Sequence, residues 1–242
     1  MNENHQNTLL SSLHPARMEP YLVETGRNRK KALALYRWHL DLTAAVQTIL
    51  GVTEVILRNS IDRELQIWNA KQDPSKTSWL LEEPASPLRS LTQGKRVQAL
   101  HRAHNVQNAR LPHHPRHNQP VTHDDVLAQI MFGMWKDILP NHMPNANPNN
   151  QGNINRITLW TDAVSKAFPH INDPDGSITF WRVAHLHDLR NRVSHMEPLL
   201  NVDVRGIISN DAFALLASID PVLRDWVSGS NRVPVLLKQR PV

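Results

Sequence analysis

The 242-residue chain contains no cysteine. Disulfides, thiolate metal sites and cysteine nucleophiles are therefore excluded, and the chain fits a reducing cytosol. Aromatic strand formers are sparse, with 2 Tyr and 4 Phe, while Leu and Ala recur on long periodic stretches. That balance predicts helices. No apolar run reads as reaching the ~20 residues that a bilayer crossing needs. Residues 1–8 are polar and lack the apolar centre of a secretory signal. A glycine-rich phosphate loop and the HExxH pattern are both missing, which leaves NTP hydrolysis and zinc proteolysis without support. No internal repeat is present. The expectation is a soluble, cytoplasmic protein with no membrane role.

What is present is a 40% hydrophobic content, enough to bury a core, and a modest basic excess. Lys and Arg total 27 against 22 Asp and Glu, giving +5 and a pI near 9.8. Such a charge is ordinary for this size, yet compatible with a polyanionic partner.

Apolar spacing predicts a single all-α domain over residues 1–227, followed by a loosely packed tail, 228–242. The first ten residues are polar and expected to fray. A short helix is expected over 9–23. A break at Thr25-Gly26-Arg27-Asn28 precedes a long helix from Arg29. A second apolar face runs from Gly51 to Trp68, and a break or kink is expected near Gly51, since Gly costs about 1 kcal/mol inside a helix. Residues 72–87 read as a loop, with Trp79, Leu80 and Leu81 docked on the core. A helix is expected over 87–108, then a Pro/His-rich loop over 110–123. Thr122 and Asp125 form a capping-box pattern opening a helix to about Leu139. After a Pro/Asn-rich loop, 141–155, helices are expected over 154–168, 177–196 and 211–227. Pro198 stops the second of these.

The helix over 177–196 carries the residues of chemical interest. Leu186, Leu189, Val193 and Met196 repeat at three and four residues and form its predicted buried stripe. Asn191 and His195 are four apart and share another face. Arg190 lies about 100° round from Asn191, and its long side chain can reach over the same patch. A guanidinium, an amide and an imidazole so gathered suit metal-free cleavage of an RNA phosphodiester. Imidazole titrates near neutrality and can serve as base or acid for the attacking 2′-hydroxyl. The guanidinium stabilises the charge that gathers on phosphate. The amide orients. Cleavage of this kind leaves a 2′,3′-cyclic phosphate and a 5′-hydroxyl. On spacing alone the same residues also fit an ordinary basic helix end meeting the negative end of the helix dipole.

The segment Arg190-Asn191-Arg192-Val193-Ser194-His195-Met196-Glu197-Pro198 resembles the signature of Abi-like proteins of the HEPN superfamily, in which Arg-Asn, three variable residues and His precede Glu-Pro. Three further segments resemble the same family in the same order. They are Ala32 to Trp38, Glu54-Val55-Ile56-Leu57-Arg58-Asn59-Ser60-Ile61, and Phe132-Gly133-Met134-Trp135 with Leu159-Trp160 and Phe168-Pro169 beyond it. Together they cover most of residues 17–200. Met196 departs from the family, which often has a second His there. Glu197 stands where some other HEPN toxins have Tyr.

The resemblance implies a HEPN-type helical bundle, here with extra helices and long Pro/His/Asn-rich loops. It implies an endoribonuclease acting in antiphage abortive infection or as a toxin, with no cofactor and no metal. Arg190, Asn191 and His195 would be catalytic. Arg192, Glu54, Arg58 and Asn59 would contact substrate, the last three from a neighbouring helix. It further implies a homodimer in which two motif helices form one composite cleft on RNA, and it leaves room for an antitoxin. Glu54 could pair with a motif arginine, although an i,i+4 pair with Arg58 serves equally well.

Two other readings remain at this stage. One is a catalytically inactive HEPN module that binds RNA or a partner protein. The other is a metal-dependent hydrolase using His101, His104, His113, His114, His117 and His123, because three imidazoles can ligate zinc. These histidines mostly sit in a Pro-rich loop with no carboxylate at rigid spacing. Asp124 and Asp125 fit the start of a helix better than a metal. The 7 Trp fall mostly at apolar helical positions and predict core packing rather than base stacking. Arg27, Arg29, Lys30 and Lys31 form a basic run, a solvated face that could also guide RNA.

Overall fold

A computed structural model describes residues 2–241. Among these residues there is no strand, and twelve α-helices alternate with loops. The all-α class expected from the sequence is what the chain adopts.

The organising element is one helix, α3, over Arg29–Gln72; α1 (Glu3–Ser12) and α2 (Pro15–Glu24) precede it. The expected break at Gly51 is absent. Buried positions Val46, Ile49, Leu50, Thr53, Leu57 and Ile61 continue in phase through the glycine. The continuous stripe outweighs the local cost of Gly. With 44 residues, α3 is about 66 Å long at 1.5 Å per residue. It is also long and apolar enough to cross a membrane by length and composition, contrary to the sequence expectation. Here its inward stripe, from Ala32 to Trp68, lies within the core of the bundle.

The amino-terminal segment is two helices rather than a frayed end and one helix. His14 takes φ +69° immediately before Pro15, and the pair separates α1 from α2. Residues 73–87 are strapped to α3 by side chains. Trp79 donates its indole N–H to Asp62, its backbone N–H is accepted by Gln66, and Ala85 N–H is accepted by Asn69. Trp79 and Leu80 are buried as expected, whereas Leu81 is exposed.

Next come α4 (Leu88–Asn108), α5 (His123–Leu127) and α6 (Phe132–Asp137). The capping box at Thr122 and Asp125 is present, but the expected helix to Leu139 is interrupted. Val126, Leu127, Ile130, Phe132, Met134, Trp135, Ile138 and Leu139 are all buried. A single straight helix would spread these side chains over about two thirds of its circumference. The extended backbone at Met131 re-aims the second half into the core.

Helix α7 (Gln151–Asp162) and a 3₁₀ turn (Val164–Ala167) lead to α8 (Ser177–Ser194), the motif helix. The last expected helix, 211–227, is instead broken at Asp220: α9 (Val204–Ile207) runs through a π turn into α10 (Ala214–Ile219), and α11 (Pro221–Ser228) follows. Pro221 disfavours helical backbone at Asp220, which is extended and caps Val222 N–H with its carboxylate. The tail is not loose. Helix α12 (Val233–Lys238) packs on α3, burying Val233 and Leu236. Trp38 donates its indole N–H to Leu236 O at 2.7 Å. The Arg240 guanidinium lies 5.6 Å above the Trp38 ring.

Candidate functional site

Helix α8 ends in a two-bond turn of the Schellman type. Glu197 N–H donates to Arg192 O at 2.8 Å and Met196 N–H to Val193 O at 3.1 Å. His195 is the C-cap, and Met196 takes φ +54°. Met196 therefore leaves the buried stripe predicted for it and is 45% exposed, while Leu186, Leu189 and Val193 are buried.

The turn is held from outside. Arg17 of α2 donates to Met196 O at 2.9 Å. His39 of α3, wholly buried, places Nε2 3.1 Å from Glu197 O. A carbonyl can only accept, so that nitrogen carries the proton, and Nδ1 accepts from the Tyr21 hydroxyl at 2.9 Å. Burial pushes the His39 pKa down, opposed by its bond to Glu197 O, while the Arg17 charge adds to the downward shift. His39 is thus a neutral strut. Neither Arg17 nor His39 stands out in the sequence, since both serve through contacts more than 150 residues away.

The motif side chains divide between two environments. Arg190 and Asn191 are half-buried and line a cavity of about 240 Å³ with Lys95, Gln98 and Arg102 of α4 and residues 130–134. Arg190 makes no hydrogen bond and no ion pair within 4 Å among the described residues. His195 is exposed at the helix end, one turn beyond Asn191, and does not line that cavity. Arg192 points to solvent and lies 3.6 Å from Glu197.

An imidazole does line the cavity, but it is His187. Its ring stacks on Phe132 at 5.8 Å and 9°. Asn191 donates its amide to His187 Nδ1 at 3.4 Å, one turn back along the helix. Burial lowers the His187 pKa, the Lys136 charge adds to this, and Asp188 opposes it. Residues 187, 191 and 195 follow one another at four-residue spacing, and that spacing was the available signal for His187.

Glu54 lies close enough to Arg190 and Arg58 to feel both charges. Burial pushes its carboxyl up, and the two cations oppose this. It forms no ion pair within 4 Å with either of them, so neither pairing considered from the sequence is made. Arg58 buries Nε without a partner. Arg58 and Asn59 line a second, more open cavity of about 600 Å³ with Asp62, Arg63 and Asp124. Asn59 is thereby separated from the Arg190 cavity.

The remaining histidines mostly work as struts. His123 bridges Asp62 at 3.0 Å and Ser78 at 2.8 Å, and His117 bonds Arg110 O at 2.7 Å. Among the described residues no group of three His, Asp or Glu is arranged to hold a metal. Asp125 serves the start of α5 and accepts from Arg110 and Arg116. These contacts, Arg116 foremost, hold its carboxyl well below the usual range. Arg27 and Arg29 of the basic run pair with Glu19 and Glu3.

No family model, curated protein or solved structure matches the chain. The likeness to Abi-like HEPN proteins rests on the sequence segments themselves.

Proposed function

We propose that this chain is a metal-independent endoribonuclease of the HEPN type, acting in the cytoplasm in antiphage abortive infection or as a toxin. One observation carries the proposal. Arg190 presents a guanidinium with no hydrogen bond and no ion pair within 4 Å at the wall of a cavity, with Asn191 beside it and the exposed His195 imidazole one turn further on. A free, half-buried cation is suited to a phosphate, because the low-dielectric wall strengthens its field and no protein bond need break. His195 exchanges the proton of the attacking 2′-hydroxyl, Arg190 clamps the phosphate, and Asn191 fixes the cavity wall through His187. Arg192, Glu54 and Arg58 are secondary contacts with RNA. A homodimer through α8 would bring a second motif to the same backbone, and an antitoxin would act by covering it.

A binding-only HEPN module is favoured by one feature, the position of His195 outside the cavity. Purified protein incubated with mixed RNA separates the two readings. The enzyme cleaves in EDTA and leaves 2′,3′-cyclic phosphate ends, and His195→Ala reduces the rate by at least about a hundredfold. Retention of RNA without cleavage, unchanged in His195→Ala, would establish the module instead.

A further inference from the structure

We infer that the cavity beside Arg190 is a subsite for one unstacked nucleotide of single-stranded RNA, with its base against the His187–Phe132 ring pair and a phosphate at the cationic rim. The inference rests on the ribonuclease reading and narrows its substrate to unpaired RNA.

Size comes first. At about 240 Å³ the cavity lies below the roughly 300–1,000 Å³ typical of pockets for drug-sized ligands. It suits one flat ring system, not a duplex or a helix. Its walls are sorted by chemistry. Ile130, Phe132 and Met134 give a buried apolar floor. The His187 ring, stacked flat on Phe132, offers a planar face. Unpaired RNA bases are read by stacking on such faces and by hydrogen bonds to their edges. The amides of Gln98 and Asn191 can both donate and accept there.

Charge supplies the second half. Lys95, Arg102 and Arg190 line the cavity, and no carboxylate does. Lys95 is shared with Asp137, and Arg102 gives one N–H to Gln129 O at 2.9 Å. Arg190 makes no hydrogen bond and no ion pair within 4 Å, and Glu54, which feels its charge, lies outside the cavity lining. The larger cavity, in contrast, mixes Arg58 and Arg63 with Asp62 and Asp124, so its field has no single sign. An apolar floor under a cationic rim matches the two halves of a nucleotide.

The test measures binding of 3′-UMP, 3′-AMP, uridine, adenosine and inorganic phosphate to the intact protein by calorimetry. A nucleotide is expected to bind at least about tenfold more tightly than either phosphate or its nucleoside. Two variants fill the cavity from different sides. In Gly133→Leu the added side chain meets His187, since a Cβ there would stand 3.3 Å from Nε2. Met131→Trp starts from a residue 58% exposed and should fold normally. Each should weaken nucleotide binding about tenfold or more while phosphate binding stays within about twofold. Phosphate binding as tight as nucleotide, or full nucleotide affinity in both variants, would overturn the subsite. Nucleotide binding without any RNA cleavage would uphold the subsite and sink the nuclease reading. Cleavage of RNA at an unaltered rate in both variants, with no nucleotide bound, would do the reverse.

Discussion

Met196 occupies a left-handed backbone position that glycine fills at many helix ends. A side chain there crowds the following carbonyl, and the two-bond turn after His195 holds it in place. Met196→Gly is therefore expected to raise stability by about 0.5–1 kcal/mol, measured by urea unfolding. A loss of stability would show that Met196 contributes more by packing than it costs in strain. His39 makes a second prediction at this scale. Its folded pKa lies below the ordinary value because it is buried. As the pH falls through about 6.5, the unfolded chain takes up a proton that the folded chain resists, so folding stability drops on acidification. The facing groups, Tyr21, Tyr36, Thr43 and Arg17, provide no carboxylate to offset that proton. His39→Gln should be less stable at neutral pH yet lose less on going from about pH 7.5 to about pH 5.5. His187, also lowered, keeps some slope in both proteins. An unchanged slope in the variant would remove His39 from the account.

Among the elements, α3 teaches most about what sequence spacing reveals. Its apolar period was readable from Ala32 to Trp68, and Gly51 alone suggested a division. A Cβ at Gly51 would meet nothing within 4 Å. Gly51→Ala is expected to stabilise the fold by about 0.5–1 kcal/mol, seen as a higher urea midpoint at constant slope. A destabilised Ala variant would mean that the chain needs the glycine after all. The misplaced boundaries elsewhere have two physical causes, one local and one tertiary. Asp220-Pro221 is a local stop signal that an unbroken apolar period concealed. The interruption at Met131 has no local signal, because it answers a tertiary demand to bury residues on both sides of one helix. Tail helix α12 was hidden for a like reason. Its short apolar run, Val233 to Leu237, gains meaning only through Trp38, some 200 residues earlier in the chain.

At the scale of the whole molecule, the candidate site was half legible. Arg190 and Asn191 were identifiable from the motif, and they line one cavity together. His187 was passed over because it precedes the motif, and Arg17 and His39 because their role depends on folding alone. Asn59, placed with the motif from its own helix, faces a different cavity. With the His195 ring outside the cavity, the proposed homodimer would have to supply the complementary groups from its second protomer. In mixtures of wild-type and His195→Ala chains, activity should fall more steeply than the wild-type fraction if each cleft needs both histidines. Strict proportionality, or full activity from an isolated monomer, would show that each chain works alone.

The anchors of the His195 turn also govern when the turn can exist. Arg17 and His39 are made first, but the carbonyls they hold belong to Met196 and Glu197, made 179 and 158 residues later. No nascent chain that stops short of Glu197 can settle the imidazole in its final place. The turn is therefore assembled only after the whole stretch from α2 to the end of α8 has been made, and shortening the chain within α8 would leave Arg17 and His39 without the carbonyls they hold.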